Sequence, residues 1–135
     1  MKKQQLNPKD FTQTMGAYSH GLKVDVGDCE MIFVTGQIAM DKDGNAVASN
    51  DIAAQTEFVF QNLQKILADG GASLDDVVKA VIYVTDISKF KDISAVRNKY
   101  FANAKPVSTL VEISRTVKEF AAPCFAKGYA GRAGE

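Results

Sequence analysis

The chain has 135 residues, 46% of them apolar and 24% charged, and its sixteen basic residues balance sixteen acidic ones. These values fit one globular domain over residues 1–135 and argue against a disordered chain or one drawn by net field to nucleic acid. Cys29 and Cys124 are far apart, and His20 is the one histidine, so no zinc site is expected and both thiols are expected to be reduced. No run of about 18 apolar residues occurs and no apolar segment follows Met1-Lys2-Lys3, so a cytoplasmic protein without a membrane span is expected.

Residues 1–20 read as a polar, flexible entry, broken at Asn7-Pro8 and Met15-Gly16. Gly21 to Val26 alternates apolar and polar side chains, as a half-buried strand does. A turn at Val26-Gly27-Asp28 leads to a β-rich run, Met31 to Thr35, and the two form a hairpin. Gly36 ends the second strand and allows a close approach of backbone to ligand. Asp41 to Asn45 is a turn that lacks the acidic spacing of a calcium loop.

Asp51 to Asp69 has the clearest helical period, with Asn50 or Ser49 as cap. Ile52, Phe58, Val59, Leu63, Ile66 and Leu67 form its apolar stripe, and Gly70-Gly71 stops it. Val77 to Thr85 reads as a strand with Val78, Ala80, Ile82 and Val84 on one side. Val77, Val81 and Tyr83 take the other. A second helix, about Phe90 to Ala102, turns Phe90, Ile93, Val96, Tyr100 and Phe101 inward and ends by Pro106. Val107 to Ile113 is a strand, and Cys124 to Tyr129 is a candidate last one. The order implies an α+β fold, a mixed sheet with two helices on one face. The bare face needs a cover, and a partner subunit is the natural one.

Several segments together resemble the Rid (YjgF-like) family. Gly16-Ala17-Tyr18-Ser19-His20-Gly21 is similar to its Gly-Pro-Tyr-Ser-Gln-Gly motif. Phe33-Val34-Thr35-Gly36-Gln37-Ile38 is similar to Phe-x-[Ser/Thr]-Gly-Gln-[Ile/Leu]. Asp51 to Thr56, Asn62-Leu63, Gly71 to Lys79 and Pro106 to Glu112 continue the match in order, from about Asn7 to Lys118. The resemblance implies a chorismate-mutase-like fold, a homotrimer, and small-molecule clefts at the junctions between subunits. It implies hydrolysis of reactive enamines and imines, such as 2-iminobutanoate and 2-iminopropanoate, without a cofactor or metal. Some relatives carry ribonuclease or translation-inhibitor names, and others act in regulation.

The same resemblance marks the site residues. In active members the Arg of Pro-x-Arg-[Ser/Thr] holds the substrate carboxylate through two parallel hydrogen bonds. Alignment through Val111-Glu112 puts Ser108 at that position, which offers a hydroxyl and no charge. The family's terminal Glu, which orients the attacking water, has no counterpart near Phe125 to Ala130, and Glu119 falls in the preceding loop. Tyr18 is the best retained group; Tyr18 and Ser108 are the catalytic candidates. Thr35, Gly36, Ser94, Arg97 and Thr109 join them as ligand-binding candidates. Arg97 stands in for the missing cation or else pairs with Asp92 or is solvated on the helix surface. His20 is a proton carrier beside the cleft or a solvated ring, Glu112 is structural first, and the Cys124 thiol lacks an activating base. Imine hydrolysis is the leading function, and non-catalytic small-ligand binding is the alternative. Ribonuclease activity is weaker, because the net charge is zero and no histidine pair exists.

Overall fold

The computed structural model describes residues 1–116 with their side chains and residues 124–133 as backbone. Readings on Glu119 and on the Cys124 thiol lie outside the described residues. The elements are β1 (Lys3–Leu6), β2 (Gly21–Asp25), β3 (Cys29–Val34), α1 (Ile52–Asp69), β4 (Val77–Val84), α2 (Phe90–Tyr100), β5 (Val107–Glu112) and β6 (Cys124–Ala133). They form one sheet in the order β1-β2-β3-β6-β4-β5. Only β4 and β5 run parallel, joined by α2; all other pairs are antiparallel.

The expected α+β class holds, with Ile32, Val34, Ala80, Ile82 and Val84 of the sheet in one core beneath both helices. From α1 that core takes Val59, Phe60, Leu63, Ile66 and Leu67, and from α2 Ile93 and Val96. Asp51 rather than Asn50 or Ser49 caps α1, its carboxylate accepting from Ala54 N at 3.0 Å. The two glycines after α1 serve different needs. Gly71 has φ +81° and closes a Schellman turn, with Ala72 N donating to Leu67 O at 2.9 Å. Gly70 is pressed on the core, where an added Cβ would stand 2.6 Å from Ile32 Cδ1.

Three further expectations are corrected. The entry segment is not wholly irregular: β1 pairs with β2, and Leu6 enters the core. Its polar Lys3-Gln4-Gln5 run hides the strand, because one buried residue leaves no period to read. In β4 the register shifts between Val77 and Lys79, so Val77 is 2% exposed and Val78 54%. A bulge places two residues opposite one and reverses the alternation behind it. Phe90, at the first turn of α2, is exposed rather than inward.

The opposite sheet face carries Leu22 beside Phe33 and Tyr83 beside Val111. Phe33 and Val111 are each 37% exposed.

Candidate functional site

A cavity of about 780 Å³ opens at one end of the sheet, within the range of small-molecule sites. Its walls are the 10–20 segment, the loop after β3 and one stripe of α1. Phe58, Asn62 and Lys65 stand at four- and three-residue steps on α1 and face it together. The core stripe, Val59, Leu63 and Ile66, lies one position round the helix.

Hydrogen bonds hold the 10–20 segment against the sheet. Thr35 Oγ1 donates to Ser19 O at 2.6 Å, and Thr35 N donates to His20 O at 2.9 Å. His20 N donates to Asn7 Oδ1 at 3.1 Å. Thr12 Oγ1 donates to the Asp41 carbonyl, tying the segment to the 41–45 turn. In that turn the backbone N–H of Asn45 on the carboxylate holds the Asp41 pKa below its usual value, with Asp43 N–H adding to the effect.

His20 is half-buried, not solvated, and its ring meets Phe11 edge-on at 5.0 Å. Its Nε2 lies 2.7 Å from Thr12 O, so Nε2 carries the proton and donates. The other nitrogen, Nδ1, is sealed without a partner. The ring therefore clasps the strap over the cavity and offers it no free nitrogen. Tyr18 is 46% exposed on the rim, and its hydroxyl accepts from Met15 N at 3.2 Å.

Two buried amides complete the wall. Gln37 and Asn62 are 5% and 8% exposed, and both line the cavity. Gln37 Nε2 donates to Thr35 O at 2.9 Å. Sequence reasoning did not single them out, although both fall inside the family segments; a lone Gln after Gly36 and a lone Asn in a helix carry no period.

Tyr18, Thr35 and Gly36 all line this cavity. Ser108 and Arg97 line a different one, about 500 Å³, with Asn98, Phe101, Lys105 and Pro106 at the end of α2. Arg97 Nε and Nη2 both donate to Asn98 Oδ1 at 3.2 Å, so Arg97 pairs with its neighbour and not with Asp92. Thr109 is on β5 and exposed, and Ser94 is buried in α2 with its hydroxyl sealed and unpartnered. Neither lines a cavity described here. Glu112 has the structural role expected of it, accepting from Ile87 N at 3.0 Å.

Among the described residues, no helix is long and apolar enough to cross a membrane, and no cluster of three His, Cys, Asp or Glu side chains could hold a metal.

The family described as Endoribonuclease L-PSP matches residues 9–122. A RutC family protein of Pyrococcus abyssi is 36% identical over 119 residues, covering 88% of this chain and 91% of its own. The Rid family protein YyfA of Yersinia pestis, a solved structure, is 26% identical with TM-score 0.84, covering 97% of this chain and 100% of its own. TdcF of E. coli, solved with bound serine, is 25% identical with TM-score 0.80 and covers 96% and 98%. With its ordered motifs, its sheet and its helices all in agreement, the chain belongs to the Rid family, the group that also carries the YjgF, RutC and endoribonuclease L-PSP names.

Proposed function

We propose that the chain hydrolyses small reactive enamines or imines derived from amino acids, using the 780 Å³ cavity as the reaction chamber. The observation that carries this reading is the convergence of Tyr18, Thr35 and Gly36 on that cavity. All three come from the motifs that resemble the family's ligand-binding segments. The TdcF relative holds serine, a small amino acid of the size this reading requires. Water attacks the imine carbon, the C–N bond breaks, and ammonia leaves as the carbonyl forms. Each step needs hydrogen bonding to nitrogen and to water, which hydroxyl and amide groups supply. The test is ammonia release from a 2-imino acid made in place by a pyridoxal-phosphate dehydratase, with and without the protein.

The assembly belongs to the same proposal. Phe33, Val107 and Val111 are exposed on the sheet's open face and its β5 edge, and two further copies of the chain would cover them. A homotrimer also brings the β5 edge, with Ser108 and Arg97, to a neighbour's cavity. Light scattering at three times the 14.6 kDa chain mass supports this arrangement, and a stable monomer rejects it. A cytoplasmic setting fits the half-buried free thiol of Cys29.

A second reading, small-ligand binding without turnover, is favoured by Ser108. Its hydroxyl carries no charge where active relatives place an anchoring Arg. This reading predicts thermal stabilisation by ligand with no product formed.

A further inference from the structure

We infer that Lys65 is the carboxylate-binding residue of the large cavity, supplying there the positive charge that Ser108 lacks. The inference rests on the cavity being the ligand site, as proposed above. A 2-imino acid carries a carboxylate beside the reacting carbon. Hydroxyl and amide groups can hydrogen-bond that carboxylate, but they carry no charge to oppose its own. A cation on the wall does so, and Arg97 and Ser108 line the other cavity.

Three cationic side chains, Lys42, Lys65 and Arg115, line the large cavity, against two acidic ones, Asp10 and Asp41. The Asp41 carboxylate is already engaged, its Oδ1 accepting from Asp43 N and Asn45 N at 2.9 Å each. Ion pairs among the described residues join Lys23 to Glu30 and Lys99 to Glu57. None of the three wall cations is therefore neutralised by a described carboxylate. The balance of charge on the wall suits an anion.

Of the three, Lys65 has the most defined place. It shares the cavity-facing stripe of α1 with Phe58 and Asn62. Its Nζ lies over the Phe11 ring, 5.9 Å from the centre. That ring also lines the cavity, packs on the core and meets the His20 ring edge-on at 5.0 Å. The face of an aromatic ring attracts a cation, so the ammonium is drawn to the strap that closes the cavity. A side chain already held in place loses less freedom when it meets an anion. Lys42 lies in the 41–45 turn and Arg115 beyond the end of β5, and neither sits over a ring of a described residue. Lys65 itself is exposed, so its effect has the scale of a surface ion pair.

2-Oxobutanoate, the stable carbonyl product of 2-iminobutanoate, and its uncharged methyl ester form a matched pair of probes. Calorimetric titration of the full-length protein measures both. 2-Oxobutanoate should bind about three- to fivefold more tightly than the ester. Lys65→Met should abolish that preference, and Lys65→Arg should keep it. Lys65→Gln gives the same test if the first variant does not fold. Lys42→Met removes the same charge elsewhere on the wall and should cost less. Equal losses in Lys42→Met and Lys65→Met overturn the inference, because they assign the effect to the field of the whole wall. A preference unchanged by Lys65→Met overturns it, as does ester binding as tight as that of 2-oxobutanoate. No saturable binding of 2-oxobutanoate at millimolar concentration overturns it too. Absence of ammonia release with the charge preference intact would reject hydrolysis and leave Lys65 as the anchor, so the two failures are distinguishable.

Discussion

Two cavities differ in how they are built. The larger one has buried polar groups, Gln37 and Asn62, set among aromatic rings and closed by a hydrogen-bonded strap. The smaller one, at the end of α2, has exposed groups: Lys105 and Ser108 at the surface, with Arg97 turned onto its own neighbour Asn98. Buried amides are held in place by packing and gain much from a ligand; exposed cations are already solvated and gain little. The first cavity therefore has more of the properties of a ligand site than the second.

The helices join the two regions through neighbouring aromatics. Phe58 lines the large cavity, while Phe60 stacks on Tyr100 at 4.8 Å and meets Phe101, a wall of the small one, at 5.0 Å. Phe60 is wholly buried. The largest effect is therefore expected from Phe60→Ala, which should lower unfolding free energy by about 3–5 kcal/mol. Denaturant unfolding measures it; a loss near 1 kcal/mol would mean that this seam does not hold α2 in place.

Ser108→Arg bears most directly on the relation between the cavities. If β5 of one copy completes the cavity of another, the new guanidinium reaches a substrate carboxylate. Turnover of a 2-imino acid should then rise by about tenfold or more, from charge-assisted hydrogen bonding. An unchanged rate would show that the two regions stay separate in the assembly.

Tyr18→Phe removes one hydroxyl at the rim of the large cavity. Loss of a single neutral hydrogen bond should lower imine turnover by about two- to tenfold and leave folding intact. Steady-state rates in the dehydratase-coupled assay decide it, and an unchanged rate would move Tyr18 out of the machinery.

The smallest effect is expected between the helices. Glu57 accepts from Lys99 Nζ and, at 2.5 Å, from the Tyr100 hydroxyl. The Lys99 hydrogen bond, then that of Tyr100, lowers the Glu57 pKa. Its contribution is present above pH 4.5 and disappears as the pH falls through the lowered folded value. Burial, then the bond to Glu57, raises the Tyr100 pKa, so that contribution is present below pH 10 and disappears as the pH rises through the raised folded value. Because Lys99 is 60% exposed, Glu57→Gln should cost about 1 kcal/mol or less at neutral pH. Melting curves of both proteins against pH should converge in acid; a constant gap would assign the effect to packing.

The fold was legible wherever one face of an element is apolar at a regular step. Val59, Leu63, Ile66 and Leu67 mark α1 because a buried helical face must repeat at three and four. In contrast, Leu6 alone marks β1, and the bulge behind Val77 breaks the period of β4. Tyr18, Thr35 and Gly36 were legible through motif order. The buried amides of Gln37 and Asn62 were not, since their place in the cavity wall depends on which loop and helix meet there, and a sequence contains no direct record of that. Nor could residue order reveal that Arg97 and Ser108 share a cavity apart from Tyr18.

Ammonia release from a freshly generated 2-imino acid tests the central claim most directly. The rate should rise in proportion to added protein and fall with Tyr18→Phe. A rate equal to the spontaneous one at every protein concentration would contradict hydrolysis as this chain's activity.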